Sequence, residues 1–232
     1  SHKKTQSIPF ESRSMMHECA ITKNYMLVFD LSVVFDLYKL GRGYFPFSWD
    51  DNHQSRIGLL SRNGDSNEVK WFEIDRTYFF HTFNAHEDAN GNVIVTAAAY
   101  GRLFDTDWNG PFTESPPQLT KWELNTKSGQ ATSTRLDDRS VEFPRINPSL
   151  VGKSNQYAYA LASSNPIEPD FKEIVKYDFK NDTSEVYEYG PGKFGAEPVF
   201  VAAEGTKSED EGYLLSLVYN QETDKSDLII LN

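Results

Sequence analysis

The sequence has little cysteine and no long apolar run. Cys19 is the single cysteine among 232 residues, so no internal disulfide can form, which favours a reducing compartment. All apolar stretches fall well short of the roughly 18 residues that a membrane-spanning helix needs, and no signal-peptide pattern begins the chain. We therefore expect a cytoplasmic or peripheral membrane protein.

Basic residues are too few for a general nucleic-acid-binding protein. Lysine and arginine total 23 against 34 aspartates and glutamates, which gives a formal net charge of −11. Binding to nucleic acid requires clustered cations that neutralise phosphates, and the sequence contains no basic stripe. No nucleic-acid partner is expected.

Apolar residues at helical spacing are also scarce, whereas short β-prone runs recur with turn residues between them. Hydrophobic residues make up 38% of the chain, which is enough for a substantial core. The sequence therefore predicts an all-β protein. The predicted strands are 25–29, 56–60, 69–74, 78–83, 92–100, 119–124, 157–162, 174–179, 184–189, 213–219 and 227–231.

An internal repeat refines this class. The similar segments 121–124 and 176–179 have the same separation along the chain as Glu142 and Glu197. A repeat of this size with about four strands is typical of a propeller blade. The chain holds about four such units, whereas propellers usually close with about four to eight blades.

Four isolated residues stand at the starts of β-rich stretches: His17, His81, Glu142 and Glu197. Imidazole is the commonest metal ligand, and a metal-bound histidine usually donates its other N–H to a carboxylate. This recurring pattern predicts a metal site in which glutamates orient histidine ligands. Taken singly, such a histidine is more often structural, and such a glutamate is normally solvated.

The segments around these four residues resemble the carotenoid cleavage oxygenases. That family includes the apocarotenoid, nine-cis-epoxycarotenoid and lignostilbene dioxygenases and the retinal pigment epithelium isomerase. The resemblance implies a seven-bladed β-propeller, of which residues 1–232 would form a single partial domain. This domain would be the middle to C-terminal part, without the N-terminal region and the extreme C-terminus. The resembling segments are 15–22, 56–60, 80–88, 141–147, 196–201, 211–216 and 227–231.

The resemblance also implies a mononuclear Fe(II) held by four histidines on the propeller axis. His17 matches the second ligand and His81 the third, while the first and fourth have no counterpart in the sequence. Glu142 matches the glutamate that orients His81, and Glu197 matches the partner of the absent last histidine. No catalytic residue is expected beyond this iron site.

Other residues near these motifs have less specific interpretations. Phe80 and Phe143 are candidates for the wall of a substrate tunnel, with a place in the structural core as the alternative. His53 and His86 stand in polar and acidic stretches, so both are assigned to loops and not to the metal site.

The segment 37–47 combines aromatic and basic residues, a composition suited to the headgroup region of a bilayer. In the family this region lies near an apolar patch at the tunnel mouth, so the resemblance implies peripheral membrane contact. A hydrophobic connection between blades is the alternative. The predicted membrane contacts are Tyr44, Phe45 and Phe47.

The activity implied by the resemblance is Fe(II)-dependent cleavage of a conjugated C=C bond in a carotenoid or apocarotenoid. The co-substrate would be dioxygen and the products two carbonyl compounds. Cleavage of a stilbene, as in the lignostilbene dioxygenases, is the alternative within the family. A non-catalytic propeller that binds a protein or ligand on one face is the alternative from another class. The retained histidines and glutamates argue against it, because a scaffold needs no such set.

Overall fold

The computed structural model describes residues 5–108, 110–111, 114–163, 165 and 170–232, and β-strands dominate this part of the chain. The all-β class predicted from the sequence is confirmed. The only α-helix within the described residues is α1, Leu37–Gly41. Short 3-10 helices span Ser66–Glu68 and Pro148–Leu150. The strands are β1 Ala20–Ile21, β2 Tyr25–Asp30, β3 Val33–Phe35, β4 Phe47–Trp49, β5 Arg56–Ser61, β6 Lys70–Glu73, β7 Thr82–Glu87, β8 Val93–Ala99, β9 Gln118–Leu124, β10 Ala131–Arg135, β11 Ser140–Arg145, β12 Tyr157–Ser163, β13 Glu173–Asp178, β14 Thr183–Glu188, β15 Lys193–Gly195, β16 Val199–Ala202, β17 Gly212–Asn220 and β18 Lys225–Leu231.

The strands form successive antiparallel sheets that are the blades of a propeller. The first blade has the order β1-β2-β5-β6, the second β7-β8-β9-β10 in sequence order, and the third β11-β12-β13-β14. In the fourth, β17 pairs with β18 on one edge and with both β15 and β16 on the other. The first strands of neighbouring blades contact each other, β1 with β7 and β7 with β11. Residues at the starts of the blades are thereby brought together.

The central strands explain why the chain forms blades. Val93 and Val95 of β8 lie in the apolar core shared with the first blade, whereas Ala98 lies in the core shared with the third. A strand buried on both faces needs apolar residues at odd and even positions alike, and β8 and β12 both show this. The hydrophobic core of this protein is therefore a series of layers between blades.

Polar side chains fix neighbouring blades against each other. Glu87 accepts hydrogen bonds from Thr22 Oγ1 at 2.6 Å and from the backbone N of Asn24 at 2.8 Å, which joins the second blade to the first. Asn84 donates to the carbonyl of Lys153 at 2.7 Å and joins the second blade to the third. Glu209 accepts from the backbone N of Tyr157 at 2.7 Å and joins the fourth blade to the third. Each of these three contacts includes a hydrogen bond between a side chain and the backbone of the neighbouring blade, so each ties one blade to the main chain of the next.

One face of the fourth blade carries a row of exposed apolar side chains. The strand register places Leu215 opposite Ile230 and Leu217 opposite Leu228, so these residues share a face. Monomeric proteins seldom expose a contiguous apolar surface of this kind. The exposed members of the row are Val199, Val201, Tyr213, Leu217, Tyr219, Leu228 and Ile230.

Two local predictions were displaced. The strand predicted at 78–83 starts later, because the ladder of β7 with β8 begins only at Thr82. His86 consequently lies in β7 and not in a loop. Within the described part of the chain, no helix combines the length and the apolar composition needed to cross a bilayer.

Candidate metal centre

His17 stands at the end of an extended arm, residues 5–19, that leads into β1. The arm adds to the small β3–β4 sheet, because Met15 N donates to the carbonyl of Val33 at 2.7 Å. The imidazole of His17 is exposed and packs edge-on against Phe80, with 5.3 Å between ring centroids. No described residue donates a hydrogen bond to this ring or accepts one from it.

A buried polar network anchors the arm to the first blade. Asp30 is fully buried, and its carboxylate lies 2.8 Å from His53 Nε2 and accepts from Arg56 Nε at 2.9 Å. Ser12 Oγ lies 3.2 Å from the same nitrogen of His53, and Arg56 also donates to Glu11 at 2.6 Å. His53 is in a turn, as predicted, but it is buried there by these partners.

His81 directly precedes β7, and the structure brings it against His17. The two imidazole rings lie 5.2 Å apart between centroids and are almost perpendicular, at 87°. His81 Nδ1 lies 2.7 Å from Glu142 Oε2, the contact predicted for this pair. The segments at the starts of the first three blades thus contribute one residue each to a single cluster.

Glu142 is a buried hydrogen-bond acceptor. Its side chain is only 2% exposed, and Oε2 accepts from the backbone N of Phe143 at 2.7 Å. On the other side, Oε1 accepts from the hydroxyl of Tyr100 at 3.0 Å. Because the carboxylate can only accept, His81 must hold its proton on Nδ1, and this leaves the Nε2 lone pair free for a metal.

The two imidazoles differ in charge preference. Burial disfavours protonation of His81, but the hydrogen bond and charge of Glu142, together with the charges of Glu18 and Glu197, raise the pKa of His81. Burial, together with the neighbouring His81, lowers the pKa of His17. His17 therefore favours the neutral form, in which imidazole binds metals.

A backbone distortion directs Glu142 toward His81. The ladder of β11 with β12 shifts register between Glu142 and Arg145, and Phe143 has a φ of 53°. A left-handed conformation costs a residue with a side chain roughly 1–2 kcal/mol, and such strain concentrates at functional sites. The distortion also packs the Phe143 ring 5.3 Å from that of His81. Both aromatic residues proposed for the tunnel wall, Phe80 and Phe143, therefore lie against the imidazoles.

Glu197 lies between β15 and β16, in the short gap between the two strands that pair with the same edge of β17. Its half-exposed carboxylate contacts the guanidinium of Arg145, and its charge contributes to the raised pKa of His81. Glu197 is therefore near the cluster but does not hydrogen-bond either histidine among the described residues.

Sequence reasoning missed two residues of the cluster. Glu18, which follows His17, accepts a hydrogen bond from the backbone N of Thr82 at 2.5 Å and so ties the two histidine segments together. The hydrogen bond lowers the pKa of Glu18, but burial has the larger effect, and the pKa is raised. Its position beside His17 was the available signal. The sequence contains no such signal for Tyr100, because this residue ends an apolar run and resembles an ordinary core residue.

A cavity of about 480 Å³ lies where strands of all four blades approach one another. It is lined by Ala20 of β1, Thr82 of β7, Arg145 of β11 and Val199 of β16, among others.

The donor set fits part of a metal centre. Across the described ranges, no three side chains of His, Cys, Asp or Glu are grouped to hold a metal. His17 and His81 nevertheless supply two adjacent imidazoles, and the tautomer of one is fixed by a buried carboxylate. That arrangement is typical of histidine ligands to a transition metal.

The segment predicted to contact a membrane is partly exposed. Tyr44 and Phe45 are 44% and 42% exposed, and Leu37 and Tyr38 of α1 are more exposed still. Phe47 differs from the prediction, because its place in β4 packs it partly against the core.

Of the two basic residues in this segment, Arg42 is exposed and Lys39 does not face solvent. Lys39 is buried, and its ammonium donates to the carbonyls of Phe47 at 2.9 Å and Phe104 at 2.7 Å. The exposed surface of this segment therefore combines apolar side chains with one cation, Arg42, which lies over the Tyr38 ring at 4.5 Å.

Comparison with known proteins places this geometry among relatives. The sequence model of the family described as "Retinal pigment epithelial membrane protein" matches residues 1–232. A carotenoid cleavage oxygenase of Mycobacterium tuberculosis is 28% identical, with 99% of this chain and 55% of the relative covered. A carotenoid 9,10(9',10')-cleavage dioxygenase of Crocus sativus is 32% identical, with 94% of this chain and 43% of the relative covered.

A solved structure is similar as well. The crystal structure of cobalt-substituted Synechocystis apocarotenoid oxygenase superposes with a TM-score of 0.85 at 26% identity. The match covers 94% of this chain and 47% of that chain. The present chain thus spans about half the length of the relatives it matches.

Proposed function

Because the chain belongs to the carotenoid cleavage oxygenase family, we propose that it is part of a non-haem Fe(II)-dependent dioxygenase. The enzyme cleaves a conjugated C=C bond of a carotenoid or apocarotenoid into carbonyl products. The observation that carries this proposal is the contact of His17 with His81, whose Nδ1 lies 2.7 Å from the buried Glu142. The cobalt-substituted form of the Synechocystis relative supports a metal centre.

Each residue of the cluster has a separate task. His17 and His81 would hold the iron through imidazole nitrogens, and Glu142 keeps His81 in the tautomer that presents Nε2. Bound iron supplies activation of dioxygen in a site that a lipophilic substrate can reach. Glu197 is proposed to orient a further histidine ligand that this sequence does not contain.

The aromatic residues select the substrate. Phe80 and Phe143 present flat apolar rings beside the imidazoles, which suits a conjugated chain and excludes water from it. The position that a substrate takes along this wall would decide which of its double bonds is cleaved.

The chain is proposed to be one partial propeller domain within a longer ring of seven blades. The uncovered apolar face of the fourth blade supports this, since a following blade would bury it. The coverage of only about half of each relative supports it as well. The remaining histidine ligands would come from the blades outside this sequence.

Stilbene cleavage and a non-catalytic binding propeller are less well supported. The relatives named above carry carotenoid or apocarotenoid in their names, which favours those substrates over a stilbene. A binding propeller has no use for a buried carboxylate held against an imidazole, because burying such a group is costly without a function.

The proposal is tested on the complete protein with His81→Ala and Glu142→Gln. Metal analysis should show Fe(II) in the wild type, loss of it in His81→Ala, and roughly 10–100-fold weaker binding or turnover in Glu142→Gln. His86→Ala is the matched control, because that histidine lies in the same strand region away from the cluster. Products from an apocarotenal and from a stilbene are compared by chromatography. Full iron content and turnover in His81→Ala would contradict the proposal.

A further inference from the structure

Two buried tyrosines lie side by side next to Glu142. Tyr78 and Tyr100 form a backbone bridge, with N···O distances of 3.1 and 2.7 Å, and they are 0% and 1% exposed. Both rings pack against Phe80, with centroid distances of 4.9 and 5.6 Å. In burial and in ring packing the two residues are closely matched.

Their hydroxyl groups differ. Tyr100 donates to Glu142 Oε1 at 3.0 Å, whereas the hydroxyl of Tyr78 has no hydrogen-bond partner within the described part of the chain. Burial and the charge of Glu142 raise the pKa of Tyr100 well above its ordinary value, so the phenol stays protonated and remains a donor.

The Tyr100 bond acts on the carboxylate oxygen that no other described residue contacts. His81 and the backbone N of Phe143 both lie against Oε2. The terminal torsion of a glutamate is broad, so contacts to one oxygen alone leave the carboxylate plane free to turn. A donor on Oε1 removes this freedom, and in a buried site such coupled hydrogen bonds strengthen one another.

We propose that Tyr100 is a positioning residue for the metal centre: through Glu142 it fixes the orientation and the tautomer of His81. The inference rests on the proposed function, because it assigns Nε2 of His81 to the metal. It goes beyond that function because it adds Tyr100 to the residues that orient the ligands. Tyr100 directly follows β8 and lies outside the four sequence motifs.

The alternative is that Tyr100 only fills space in the core. The comparison of Tyr100→Phe with Tyr78→Phe separates these possibilities, since each variant removes one buried hydroxyl and keeps the ring. Only the first variant removes a hydrogen bond to Glu142. If burial of the ring is all that matters, the two variants should behave alike.

The first readout is Fe(II) affinity of the complete protein, measured by competition with a chelator. Tyr100→Phe should bind Fe(II) about tenfold more weakly, at the lower end of the range for partners of metal ligands. Tyr78→Phe should stay within about twofold of the wild type. In a Glu142→Gln background, Tyr100→Phe should add little, because the bond acts through that carboxylate. Equal affinities for Tyr100→Phe and Tyr78→Phe would overturn the inference.

The second readout needs no metal. Nitrogen-15 NMR of the imidazoles in the metal-free complete protein reports which nitrogen of His81 carries the proton, at a pH above the range in which imidazole titrates. The Nδ1–H tautomer should dominate in the wild type and in Tyr78→Phe and be partly lost in Tyr100→Phe. An unchanged tautomer in Tyr100→Phe would refute the inference. Absence of Fe(II) binding in the wild type, in contrast, would refute the proposed function.

Discussion

Replacing Asp30 by Asn should destabilise the protein and loosen the arm that carries His17. Asp30 is fully buried, and its two oxygens contact His53 at 2.8 Å and Arg56 at 2.9 Å. An amide of the same shape removes the charge and replaces one of the two oxygens by an N–H group, so only one neighbour keeps its acceptor. The side chain of Arg56 is only 12% exposed, so its cation would lose its buried partner.

The magnitude follows from this burial. Removing one partner of a buried ion pair costs about 3–5 kcal/mol, because the other charge is left uncompensated. Arg56 keeps Glu11 and stacks over Trp71 at 4.2 Å, so we expect the lower end, about 3 kcal/mol. Glu11 is 72% exposed, and Glu11→Gln should therefore cost no more than about 1 kcal/mol.

The free energy of unfolding is measured by denaturant titration of the complete protein, and limited proteolysis reports cleavage within the arm. Asp30→Asn should lower the denaturation midpoint and speed cleavage at residues 5–19, whereas Glu11→Gln should change neither strongly. If both variants lose the same stability, the buried network does not anchor the arm, and the argument fails.

Three further predictions concern exposed surfaces and the fragment of residues 1–232. Tyr44→Ser combined with Phe45→Ser should reduce co-sedimentation of the complete protein with liposomes, because exposed aromatic rings partition into the headgroup region; unchanged binding would remove the membrane role. Residues 1–232 expressed alone should aggregate and hold iron weakly, since an apolar face is uncovered and the described part of the site offers the metal only His17 and His81. Leu217→Lys with Ile230→Lys should make this fragment more soluble but destabilise the complete protein; a gain in both would show that no blade covers that face.

Periodicity and composition determined the fold class and the repeat. The central strands read as apolar runs because each blade is covered on both faces, and this pattern is local in sequence. The four site residues could also be identified from the sequence, because each stands in a short motif at the start of a blade. These residues are His17, His81, Glu142 and Glu197. The strand at 78–83 was misplaced because the start of β7 depends on its ladder with β8.

Only the tertiary structure decided the geometry of the contacts between blades. The contact of His81 with Glu142 joins the second blade to the third, and its geometry depends on the angle between blades and on the register shift in β11. The roles of Glu18, Tyr100 and Asp30 were hidden for the same reason: their partners are distant in sequence. A sequence pattern reports which face of a strand is buried, whereas a hydrogen bond between blades requires distances within a few tenths of an ångström, which the packing of whole sheets sets.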